Sequence, residues 1–187
     1  MRTIPTLWCT ALLLGAFGAA SPAQIKSLTL EEMVATADGA VYGQITSSYV
    51  RRADSAQDGP ELFYTTLTIQ GRSLVNGQPL TVEVTFRGGF VNETEGVYNS
   101  EAPAADDVKV GKTVVAFYRW SDDLGGGMPA NALVAAHGGV YRTVDGPRGA
   151  AVLGRGEGYA IGANVRVANL ELAVSTLYAS KSSRGKR

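Results

Sequence analysis

The sequence is short of the residues on which much catalysis and cross-linking depend. Its 187 residues include one cysteine, Cys9, and one histidine, His137. A lone cysteine excludes an internal disulfide and a thiolate-rich metal cluster. With a single histidine, a catalytic zinc would need an unusually carboxylate-heavy set of ligands. No G-x-S-x-G sequence offers a serine for that histidine to activate. Net positive charge is also missing. Between residues 24 and 180 there are 12 basic and 17 acidic side chains, a balance of −5, which argues against a nucleic-acid-binding surface.

What is present begins with a targeting pattern. "MRTIPTLWCTALLLGAFGAASPAQ" combines Arg2, an apolar stretch from Leu7 to Ala20, and the small residues Ser21-Pro22-Ala23. That stretch is too short and too rich in Gly and Ala to make a good membrane span. The pattern predicts a signal peptide over 1–23, cut before Gln24, with Gly18-Ala19-Ala20 as the competing site. The destination it implies is periplasmic or secreted. Cys9 would leave with the signal, so the remaining 164 residues would hold no cysteine. That length suits a single domain, expected over 24–180. Lys181, Arg184, Lys186 and Arg187 mark 181–187 as a basic, flexible tail.

Glycine supplies 21 of those 164 residues, about twice its usual share of roughly 7%, and long helical patterns are few. The segment "SLTLEEMVATADG" opens with Thr29 and Glu32 at capping-box spacing, and Leu28 and Met33 are placed as a hydrophobic staple. Strand patterns follow at 40–50, 62–75 and 80–87, the last two joined by the hairpin signal Asn76-Gly77. The next strand, "TVVAFYRW" at 113–120, is apolar on both faces and is expected to be central. Residues 132–144 read as a strand, a glycine break and a strand. A helix then closes the chain, with Asn169 as its N-cap and Leu170, Val174, Leu177 and Tyr178 on one face. The predicted fold is mainly β, a small OB-like, Greek-key barrel of five to six strands with a short N-terminal and a C-terminal helix.

The order of these pieces resembles a family of small exported bacterial proteins. "LTLEEMVATADGAVYGQI" is similar to that family's opening helix and first strand. Tyr64-Thr65, Gly88-Gly89, the series Pro103, Gly111, Val114 and Phe117, and the series His137, Gly139, Tyr141 and Val144 match its later motifs. The resemblance brings no activity. It implies an OB-type strand layout similar to that of the tissue inhibitors of metalloproteinases. Those inhibitors chelate zinc through an N-terminal cysteine, a mechanism a cysteine-free mature chain does not share. The insert "VNETEGVYNSEAPAADD" and the glycines at 125–127 depart from the family pattern.

Candidate chemistry centres on "TFRGGFVNETEG". Arg87 with the amides of Gly88 and Gly89 has the makings of an anion cradle. Glu93, Glu95, Asp106 and Asp107 are hard oxygen donors of the kind that hold Ca²⁺. Against both stands a simpler reading: Gly-Gly turns the chain out of the barrel, and the acids solvate a long loop. His137 is read as a structural hydrogen-bonding residue, since the resembling family also places Gln there. "LGRGEG" at 153–158 lacks the flanking strand and helix of a nucleotide loop and is read as a flexible connection. Tyr118, Trp120 and Tyr141 are candidates for a ligand platform, though such residues more often pack a core or rim. The resulting expectation is a non-enzymatic module with no cofactor. It would recognise a protein or peptide through loops 88–112 and 121–131, with Arg87, Gly88, Gly89, Phe90 and Val91 as binding residues. The alternatives are a metal- or small-ligand-dependent enzyme, with Ca²⁺ as the metal, built on Glu93, Glu95, Asp106 and Asp107 with His137 as a further candidate, and a structural envelope protein.

Overall fold

The computed structural model describes residues 28–53 and 61–184. The expected signal segment and residues 185–187 lie outside them. In chain order the elements are α1 (Leu30–Thr36), β1 (Gly39–Arg52), β2 (Phe63–Ser73), β3 (Pro79–Arg87), β4 (Gly89–Phe90), β5 (Gly96–Val97), β6 (Thr113–Ser121), β7 (Ala130–Leu133), β8 (Val140–Val144), β9 (Ala151–Val152), β10 (Val165–Arg166) and α2 (Val167–Arg184).

Five strands close a barrel in the order β1-β2-β3-β7-β6 and back to β1. All its pairings are antiparallel except β3 with β7, which meet in parallel at Thr85 and Ala132. This is the OB-type layout that the sequence predicts. Strands β8, β9 and β10 extend the sheet outward from β6. The β2–β3 hairpin turns where Asn76-Gly77 is expected, with Gly77 at φ +73°.

The alternation along β6 explains why it is apolar on both faces. Val114 and Ala116 point into the barrel with Val41, Ile45, Leu67, Ile69 and Val84. Val115 and Phe117 point outward into a second core with Met33, Leu74, Tyr141, Val152, Leu170, Val174 and Tyr178. Each large side chain withdrawn from water in this way contributes about 1.5–3 kcal/mol. The two helices are therefore the outer wall of a core whose inner wall is β6.

Helix α1 has the predicted capping box: the Glu32 amide donates to Thr29 Oγ1, and the Thr29 amide to the Glu32 carboxylate. Its C-terminal carbonyls are satisfied from α2. Lys181 Nζ donates to Ala37 O at 2.8 Å and Val34 O at 3.3 Å, and Tyr178 Oη donates to Ala37 O at 3.2 Å. So residues 181–184, expected as a loose tail, form the last turn of α2. Helix α2 also begins at Val167, two residues before the expected cap at Asn169. Val167 is buried in line with Leu170 and Val174, and its amide donates to Ala150 O, which draws the helix back by part of a turn.

Between β7 and β8 a 3-10 turn spans Ala136–Gly139. A Cβ on Gly139 would collide with Val134 O, whereas one on Gly138 would have its nearest neighbour at an ordinary 3.6 Å. Gly139→Ala is expected to destabilise the fold by about 2 kcal/mol or more, and Gly138→Ala by well under about 1 kcal/mol. Paired denaturant curves check the contrast. A second prediction concerns alkali. Burial pushes the Tyr178 hydroxyl well above its ordinary pKa, with Tyr118 and Asp38 adding to the shift, and burial also raises Tyr118 and Tyr141. A raised folded pKa favours the protonated, folded state. That contribution is whole below the unfolded value of about 10 and is lost as pH climbs above it. Tyr178→Phe should cost about 1 kcal/mol near neutrality and flatten the alkaline loss of stability, as urea unfolding across pH will show.

Candidate functional site

The corner "RGG" is built from sheet geometry. Arg87 ends β3, and Gly88 and Gly89 follow at φ +97° and +129°, a backbone that L side chains rarely adopt. The Gly88 amide donates to Phe63 O at 2.7 Å, and Gly88 O accepts from the buried Thr65 hydroxyl at 2.7 Å. Arg87 donates from a terminal nitrogen to Leu124 O at 2.8 Å. The Gly88 amide and one guanidinium nitrogen of Arg87 are thus engaged within the protein.

Past the corner, β4 and β5 pair as a small exposed hairpin, Gly89 opposite Val97 and Phe90 opposite Gly96. The chain then runs back over the barrel from 98 to 112 and is fastened at several points. Asn99 Nδ2 donates to Arg87 O at 3.0 Å. Glu101 O accepts the His137 amide at 2.9 Å and lies 3.3 Å from His137 Nδ1, while His137 Nε2 is 3.2 Å from Tyr159 Oη. Asp107 pairs with Arg142 at 3.0 Å and Arg155 at 3.6 Å. Arg155 in turn donates to His137 O and Val140 O. At the far end, the Ile45 amide donates to Lys112 O and the Gly111 amide to Ile45 O.

Beneath this segment lies a cavity of about 580 Å³, within the usual range for ligand sites. Thr65 and Phe86 from the barrel, Phe90 and Val97 from the hairpin, and Val108 and Lys109 from the returning chain line it, and Ser48 borders it from β1. Its wall is mainly apolar. At it Phe90, Tyr98 and Val110 are exposed, Tyr98 by 81%, and Val91 is exposed next to Phe90 in the chain. Clustered apolar exposure of this kind usually marks an interaction site.

The second loop, 121–131, is tightly folded. Asp123 Oδ1 accepts the amides of Gly125, Gly127 and Met128 at 2.6–3.2 Å. Tyr64 Oη donates to Leu124 O at 2.7 Å, and Met128 is buried with its sulfur 2.9 Å from Arg51 Nε. Leu124 and Arg87 both border a smaller cleft with Asn99 and Glu101, so the two loops meet there.

The four acids are divided among different partners. Glu93 is exposed on the hairpin, Glu95 lies 4.0 Å from Arg52, Asp106 pairs with Lys109 at 3.5 Å, and Asp107 is held by two arginines. Among the described residues, no three His, Cys, Asp or Glu side chains form a group able to hold a metal ion. The three candidate platform aromatics do not form one surface: Tyr141 is buried edge-on to Phe117 in the outer core, Tyr118 packs against the inner core, and Trp120 is half exposed. The sequence reading missed Arg155, which sits inside the glycine-rich "LGRGEG". That stretch is tied rather than loose, with the Gly154 amide on Asn164 Oδ1 and the Arg155 amide on Ile161 O.

These features define a closed barrel with a chain-roofed apolar cavity at one side. Compared with family models, curated proteins and solved structures, the chain matches none of them.

Asp107→Ala should free the roof without opening the barrel. Amide exchange over 98–110 is expected to speed up by about tenfold, with the amides of β2 and β3 unchanged. Unaltered exchange in 98–110 would show that the arginine clamp does not hold the segment.

Proposed function

We propose that this protein is an exported, non-enzymatic binding module that recognises a protein or peptide partner. The surface is formed by loops 88–112 and 121–131, with Phe90 and Val91 supplying apolar contact at the corner that Arg87, Gly88 and Gly89 set. The observation that carries this reading is the apolar cavity with Phe90, Tyr98 and Val110 exposed at it, and Val91 exposed next to Phe90. Side chains of that kind on a rigid frame are a familiar basis for recognition. Its export and its place among the small exported bacterial proteins that it resembles are part of the same proposal.

The reading is tested by affinity capture from envelope and secreted fractions of the source organism, followed by binding measurements on the partner recovered. Replacing both Phe90 and Val91 with Ser removes exposed side chains that the fold does not need, so the variant should unfold at the same denaturant concentration as the parent. Partner affinity is expected to drop by about tenfold or more. Undiminished capture by that variant contradicts the proposal.

A further inference from the structure

The ladder along β1 changes phase at Thr46. Up to Ile45, the odd residues bond toward β6 and the even ones toward β2: the Ile45 amide donates to Lys112 O, and Ala40 O accepts from the Leu74 amide. The register with β2 then skips one residue between Ile45 and Ser47, so Thr46 is the extra residue of a bulge. Beyond it the odd residues face β2, as the Ala53 amide donating to Leu62 O confirms. The amides and carbonyls of Ser48 and Val50 therefore point away from β2. Pairing between β1 and β6 ends at Gln44, and among the described residues no other strand lies along this side of β1. The result is a short open strand edge, and Ser48 on that edge borders the apolar cavity.

We propose that this edge and the cavity are one site, in which an extended peptide pairs with Ser48–Val50 as an added strand and places one apolar side chain in the cavity. The inference rests on the binding-module reading and specifies how its partner is held. A peptide is the occupant that fits because the edge offers alternating main-chain donors and acceptors, which a purely apolar ligand would leave unmet. Charge adds a preference. Lys109 lines the cavity and Lys112 stands beside Ile45, with Asp106 the one acid paired there, so an acidic residue next to the apolar anchor is favoured.

The experiment is selection of phage-displayed random peptides on the purified chain, followed by affinity measurement on synthetic copies. Selected peptides should pair an apolar with an acidic residue. Their binding should weaken by about tenfold with Ser48→Pro, which removes an outward amide without touching the β2 ladder, and stay unchanged with Ser48→Ala. Ala105→Trp narrows the cavity from an exposed position and should weaken binding even if Ser48→Pro folds poorly. N-methylation of alternate peptide amides should abolish binding, while methylation of the intervening ones should not. Bound peptide should slow exchange of the Ser48 and Val50 amides. Peptides that bind with those amides and variants unaffected overturn strand addition while leaving the binding module standing. Failure to select any peptide overturns strand addition, while the binding module is decided separately by the capture experiment. Protection of Ser48 and Val50 by self-association of the chain assigns the edge to a second copy and overturns the peptide proposal.

Discussion

A β-strand has two hydrogen-bonding sides, and β1 uses them unequally. As far as Gln44 it is paired on both, to β2 and to β6, and this double pairing closes the barrel. The extra residue at Thr46 then bends the strand and exchanges the roles of odd and even positions. Thr46 Oγ1 donates to Thr68 O, and Ser47 Oγ to Thr68 Oγ1, so side chains secure the irregularity. From there β1 follows β2 alone. The cavity, the roof above it and the open edge all lie where the second partner of β1 is missing.

The roof segment is the protein's own answer to that gap. Val108 reaches into the inner core, and Pro103 is buried, so the segment covers apolar surface that would otherwise face water. It is not packed tightly enough to fill the space. Its hold is polar and peripheral, through Asn99, Glu101 and Asp107, each bound to a different part of the frame. A lining held at its margins leaves the middle available. On the binding-module proposal, this division of labour, a rigid barrel with a fastened but hollow cover, is what would present the site to a partner.

Much of the fold was legible because its signals are local. The Thr29–Glu32 capping box, the Asn76-Gly77 turn and the doubly apolar β6 each follow from residues a few positions apart. The corner at Gly88-Gly89 was legible for the same reason. The bulge was not, since "QITSSY" carries no glycine or proline to mark it and its polar residues suit either face. Nor was the clamp: Asp107 meets Arg142 and Arg155 across 35 and 48 residues of chain, and nothing in a short window announces such a meeting. Helix α2 began early because Val167 had a core to join, a tertiary fact that overrode a plausible cap at Asn169. The cavity itself is a relation between distant segments, so of its lining only Gly89 and Phe90 were named as binding residues from sequence.

Residue-resolved amide exchange on the free chain tests the open edge most directly. The phase change at Thr46 predicts alternation: the amides of Ser47, Tyr49 and Arg51 slow, bonded to β2, and those of Ser48 and Val50 fast. If Ser48 and Val50 exchange as slowly as their neighbours, the edge is covered in the free chain. The site beside β1 would then not be open to any partner.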